Sequence, residues 1–201
     1  VRTAMTAGQT LTLGAVVSGG AKQVLIRAAG PALAQFGISG MTDPRLDLYT
    51  GSDATPAATN DDWPSSLAST FAAVGAFGFP VGSRDAAVSQ MLTGAFTVRA
   101  SGTGAGVILV EAYDTGGGLS PRLVNLSARN RVGTGADILI AGFSVSGTGS
   151  KQVLIRAVGP TLTVFGVSGV LSDPTLLVVD GQGATVGSND NWSAALAATF
   201  V

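Results

Sequence analysis

One decapeptide occurs twice in this chain. Lys22-Gln-Val-Leu-Ile-Arg-Ala-Ala-Gly-Pro31 returns as Lys151-Gln-Val-Leu-Ile-Arg-Ala-Val-Gly-Pro160, with Ala29 and Val158 the one difference. The spacing of 129 residues also relates Phe36-Gly37 to Phe165-Gly166, Gly40 to Gly169, Asn60-Asp61 to Asn189-Asp190, Trp63 to Trp192 and Thr70-Phe71 to Thr199-Phe200. Asp43-Pro44 matches Asp173-Pro174 after a one-residue insertion. A period this long is a domain rather than a solenoid turn. The chain therefore reads as a tandem repeat, with residues 1–118 the first copy and 119–201 a second, incomplete one. Nothing after residue 160 matches residues 73 to about 118 of the first copy. An unfinished copy is expected to need completion from elsewhere.

Composition removes several classes of chemistry. Only 11% of residues are charged against 46% apolar, with 29 glycines, the profile of a packed chain rather than a disordered one. The net charge is −1 and no window gathers Lys or Arg, so a nucleic-acid partner is not expected. Histidine and cysteine are both absent, which rules out disulfides, thiolate nucleophiles and His-based triads. The longest uncharged stretch, 63–83, is broken by Pro64, Pro80, glycines and serines, so membrane insertion is not expected either. No signal peptide is visible, and the chain reads as a mature or trimmed fragment.

Apolar runs of five to nine residues alternate with glycine-rich turns. Residues 9–17 and 22–29 read as a hairpin around Ser18-Gly19-Gly20, and Leu46 with Leu48 marks a half-buried strand. Residues 85–92 and 95–101 form two strands turning at Thr93-Gly94, and 107–113 is the most apolar strand. In the second copy 137–146 and 151–158 are expected strands. The one helical stretch, Leu67 to Val74, would be capped by Ser65 or Ser66. This pattern predicts an all-β fold of antiparallel β-sandwich repeats, jelly-roll or immunoglobulin-like, with little helix.

The blocks Ser83-Arg-Asp-Ala-Ala-Val88, Leu92-Thr-Gly-Ala-Phe-Thr-Val98 and Gly104-Ala-Gly-Val-Ile-Leu-Val-Glu-Ala-Tyr-Asp114 resemble the last strands of bacterial pre-peptidase C-terminal-type modules. The period as a whole, with Val153-Leu-Ile-Arg-Ala-Val-Gly-Pro160 and Ser188-Asn-Asp-Asn-Trp192, is similar to a tandem repeat of large secreted bacterial surface proteins. The resemblance implies an extracellular or cell-surface location and an accessory, non-catalytic role.

Candidate chemistry is sparse. Asp114-Thr115-Gly116 has the form of an aspartic-protease loop, but such enzymes need two, and a turn after a strand is the plainer reading. Gly102-Thr-Gly-Ala-Gly106 precedes a strand, not the helix a phosphate loop requires. The recurring loops Asn60-Asp61-Asp62 and Asn189-Asp190-Asn191, with Asp53 and Asp180 upstream, carry clustered oxygens that suit calcium, the one cofactor this sequence makes room for. Asx-turns explain the same residues without a metal. Trp63 and Trp192 are either ligand-stacking platforms for surface glycans or buried anchors. Glu111 is the only glutamate and lies in an apolar strand, so it needs a cation. Arg27 is its expected partner and Arg99 the alternative, while Arg156 repeats Arg27 and is expected either to meet a carboxylate on a neighbouring chain or to be left facing solvent.

These features predict a non-enzymatic structural subunit of an extracellular filament or surface assembly, self-associating into a homopolymer by completion of its repeats. The alternative is a calcium-dependent adhesin or carbohydrate-binding repeat of a larger surface protein.

Overall fold

The computed structural model describes residues 1–116, 120–145 and 147–199, in two compact units, Val1–Gly147 and Thr148–Val201. The expected boundary between 118 and 119, the close of the turn at Gly117-Gly118, and Phe200 lie outside the described residues.

The first unit is an antiparallel, sandwich-like sheet built from β1 (Arg2–Met5), β2 (Leu11–Ala29), β3 (Pro44–Thr50), β4 (Ala58–Asn60), β5 (Ala86–Gly102), β6 (Gly106–Asp114) and β7 (Arg122–Arg129). The order is β1-β6-β2-β5-β3-β4, with β7 also on β2. The organising strand is β2, whose second half is the first copy of the repeated decapeptide. Its first half lies between β5 and β7, with Thr12 opposite Arg129. Its second half lies between β5 and β6, with Arg27 opposite Glu111. Because β7 pairs with β2, residues 122–129 close the sheet of the first unit.

The expected hairpin at Ser18-Gly19-Gly20 is not formed, and neither is the turn at Thr93-Gly94. β2 and β5 instead run on as single strands that are irregular at one level. Val17 faces Gly94 and Lys22 faces Leu92, so residues 18–21 stand opposite Thr93 alone. Gly19 and Gly20 have φ of 89° and 129°, and Gly94 has 67°. Extra residues in one strand bend it and increase the local twist. Here the bend coincides with the exchange of β7 for β6 beside β2, which lets two strands serve both layers of the fold.

Side chains of the β2 second half alternate between two cores. Val24, Ile26 and Ala28 join one cluster with Leu11, Leu13, Leu46, Leu48, Val98 and Val110. Leu25 and Ala29 join the other with Leu33, Trp63, Phe71 and Phe79. A strand covered on both faces carries a continuous apolar run, as the decapeptide does. The second cluster is roofed by the only α-helix of the described residues, α1 (Ala68–Ala73), which enters through a 3₁₀ turn at Ser65–Leu67. Neither Ser65 nor Ser66 makes the expected cap, since no side-chain bond caps either element. Burial of Phe71 holds the short helix in place.

Gly30 ends β2 where the chain crosses closely over the loop before β3. A Cβ on Gly30 would run into the Met41 carbonyl oxygen. Gly30→Ala should therefore destabilise the first unit by about 1–3 kcal/mol, the usual cost of forcing atoms into a filled interior, measured as a lowered denaturation midpoint at unchanged slope.

In the second unit local structure repeats and non-local structure does not. The 3₁₀ turn Pro31–Phe36, closed by Gly37 at φ 71°, recurs as Pro160–Phe165, closed by Gly166 at φ 75°. The hairpin of β3 and β4 recurs as β8 (Leu176–Val179) and β9 (Thr185–Asn189). The expected strands 137–146 and 151–158 are not formed among the described residues, apart from an isolated bridge between Ile140 and Arg2 within the first unit. A hairpin finds its partner within a few residues. The decapeptide finds its partners, in the first copy, some 60 to 90 positions later in β5 and β6. Residues 161–201 contain no sequence match to β5 or β6. Among residues 148–199 only Gly159 is buried.

Candidate functional site

The first decapeptide carries two cations, and β6 answers both. Arg27 is fully buried, and its Nε and Nη2 donate to Glu111 Oε2 at 3.1 and 2.5 Å while Nη1 donates to the Phe77 carbonyl at 2.6 Å. Its guanidinium carbon lies 4.5 Å from the ring centres of Phe71 and Phe77, 4.3 Å from Phe79 and 5.6 Å from Tyr113. Four rings and a carboxylate thus replace water around one charge, combining cation–π attraction with charge-assisted hydrogen bonds. Lys22 is also buried and pairs with Asp114 at 2.8 Å. That bond, with the Gly116 amide donating to Asp114 Oδ1, makes the Asp114-Thr115-Gly116 loop the end of a strand. Thr115 donates its hydroxyl and amide to the Gln23 carbonyl, closing the loop onto β2. Arg99 lies against Tyr49 instead, its guanidinium carbon 4.7 Å from the ring centre.

The Tyr113 hydroxyl donates to Glu111 Oε1 at 2.8 Å, and burial together with that bond pushes the phenol up to about 12. An unfolded tyrosine loses its proton near pH 10, so between about pH 10 and 12 the unfolded state binds fewer protons than the folded one. Stability contributed by this phenol is therefore present below pH 10 and is lost as pH rises toward 12. Denaturant titrations from pH 9 to 12 should show this fall, and Tyr113→Phe should flatten it.

Sequence reasoning missed Asp85. It is fully buried, and its carboxylate accepts from the amides of Gly30 (2.7 Å) and Ala32 (3.1 Å) and from the Ser83 hydroxyl (2.6 Å). It fixes the end of the decapeptide and the start of the 3₁₀ turn after it. The local signal, an acid immediately before the apolar start of β5, does not say where its partners lie.

Among the described residues no group of three or more acidic side chains is placed to hold a metal. The oxygens serve their own loops instead. Asn60 donates to the Asp62 carbonyl and accepts from the Ala87 amide, and Asn189 repeats the first bond with the Asn191 carbonyl. Asp180 accepts from the amides of Gln182 and Ala184 in the turn between β8 and β9. Asp53, Asp61, Asp62 and Asp190 are exposed. Asn60, Asp180 and Asn189 follow the Asx-turn reading, in which short polar side chains satisfy nearby backbone.

The two tryptophans part company. Trp63 is buried, stacked on Phe71 at 5.3 Å, with its indole N–H on the Pro80 carbonyl, so it is not a platform for sugars. Trp192 is 61% exposed.

The second decapeptide bears the same side chains in another setting. Val153, Leu154 and Ile155 are 43%, 44% and 36% exposed, whereas Val24, Leu25 and Ile26 are buried. Identical residues are thus the centre of a sheet in one copy and a partly exposed segment outside any strand of the described residues in the other. Comparison with family models, with curated proteins and with solved structures returned no match.

Proposed function

We propose that this chain is a non-catalytic structural component of an extended filament or surface layer, in which β-sheet repeats follow one another and are completed by strands of neighbouring repeats. The observation that supports this reading is the contrast between the two decapeptides. In the first copy β5 and β6 flank the strand and two apolar cores cover it. In the second the same sequence lies in no strand among the described residues and leaves Val153, Leu154 and Ile155 partly exposed, a state in which a segment can recruit strands by main-chain hydrogen bonding. Placement outside the cell goes with the resemblance of the repeat blocks to bacterial surface proteins.

The test uses the intact chain and a soluble peptide spanning residues 84–116, the hairpin of β5 and β6. Trp63 is buried throughout, so the fluorescence change reports on Trp192. Addition of the peptide should shift tryptophan emission to the blue and create strand content seen by circular dichroism. Unchanged spectra at saturating peptide would overturn the reading.

A further inference from the structure

The sequence repeat and the fold divide the chain at different places. Residues 119–147 open the second copy, yet they fold with the first, whose compact unit runs from Val1 to Gly147. The correspondence between copies continues ahead of the decapeptides, Arg2 matching Arg129 and Gly8 matching Gly135, with both glycines in the left-handed region at φ of 81° and 63°. β7 therefore belongs to one repeat by sequence and completes the sheet of another. Resting on the reading that neighbouring repeats complete one another, we propose that the first half of β2 is a receptor for the opening strand of a following repeat, and that two molecules of this chain join by seating β7 of one on β2 of the other.

The seat is built for this segment. β7 lies antiparallel on β2, from Arg129 opposite Thr12 to Arg122 opposite Ser18, on the side that β6 takes along the second half. Leu123 and Ala128 pack against the first core cluster. Ser127 donates its hydroxyl to the Gly14 carbonyl at 3.3 Å, and a Cβ on Gly14 would stand 2.7 Å from that hydroxyl oxygen, so the glycine leaves the serine its place. Past β7, Asn130 donates to the hydroxyl of buried Thr3 at 3.1 Å, and Ile140 exchanges backbone hydrogen bonds of 2.8 and 3.0 Å with Arg2. The opening segment thus grips both β2 and β1. None of these contacts depends on which molecule supplies the segment. A strand moved to an identical neighbour makes the same bonds and buries the same surface, so the two arrangements differ chiefly in chain entropy and concentration selects between them. Among the described residues β7 pairs with β2 alone, and Val124 and Leu126 on it are 49% and 42% exposed, so its departure unpairs a single ladder. A molecule that gives its strand to one neighbour can accept a strand from another, a head-to-tail contact that runs on without closing.

The chain has no cysteine, so introduced thiols report without background. Thr12→Cys is placed in one full-length chain and Arg129→Cys in another, at positions directly opposite in the ladder. The two are unfolded in urea, refolded together at high protein concentration and oxidised. The mixed covalent dimer should exceed either like-with-like dimer by about tenfold or more, because a seated strand holds the two thiols at an effective concentration that collision does not reach. Its yield should rise with protein concentration and fall several-fold when the Arg129→Cys chain also carries Leu123→Asp, which sets a charge where β7 packs on the core. A mixed dimer no more abundant than the like-with-like dimers would overturn the exchange, and so would a yield indifferent to Leu123→Asp. Both cysteines in one chain should close an internal disulfide in dilute solution and give a ladder of covalent multimers when concentrated. Failure to close internally would refute the register on which the inference stands, and closure without multimers at any concentration would refute the exchange. Failure of the exchange while the 84–116 peptide still shifts tryptophan emission removes this inference alone, whereas failure of both removes the proposed function with it.

Discussion

Arg27→Ala is expected to destabilise the first unit by about 3–5 kcal/mol, the range found when one member of a buried ion pair is removed. The substitution leaves Glu111 without its cation, removes the donor to the Phe77 carbonyl and opens a hole among four rings. A domain stable by about 5–15 kcal/mol loses a large part of its margin. Urea titration of the single variant measures the loss. The double replacement of Arg27 by Met and Glu111 by Leu should recover most of it, because a buried pair exchanged for apolar groups of similar volume is near neutral. A double variant as unstable as the single one would mean that the guanidinium's aromatic contacts, rather than its charge partner, hold the site together.

Asp85→Ala is the second large effect, expected at about 3 kcal/mol, since buried donors left without an acceptor each cost about 1–3 kcal/mol. It strands the amides of Gly30 and Ala32 and the Ser83 hydroxyl. Ser83→Ala, which removes one donor and leaves the carboxylate its two amides, should cost distinctly less. Comparable losses from the two variants would contradict the role given to the amides.

How much of this was legible in the sequence follows from where each interaction lies. The decapeptide announced its centrality by recurring, and its continuous apolar run fits a strand covered on both faces. The single glutamate left few ways to neutralise Arg27. Glycine pairs were ambiguous: Gly19-Gly20 is equally compatible with a hairpin and with a bulge, and what decides is that β5 continues unbroken on the far side. Asp85 was hidden because its partners are backbone amides more than fifty residues away. Asn60 and Asn189 offered the same oxygens to calcium and to their own loops, and only the bond to the carbonyl two residues on tells the two apart. The second decapeptide was misjudged as a strand for an instructive reason. Its propensity is that of the first copy, and propensity without neighbours does not make a sheet.

That last point admits a direct measurement. Residues Val24–Ala28 and Val153–Ala157 have the same sequence and the same preceding residues, so their amides exchange with solvent at the same intrinsic rates. Any difference between them is structural. Hydrogen exchange on the intact chain should find the amides of Leu25 to Arg27 protected close to the global stability of the first unit, and those of Leu154 to Arg156 exchanging at least about a thousandfold faster. Equal, strong protection at both places would show that the second decapeptide is already a strand within its own chain, and would contradict the account.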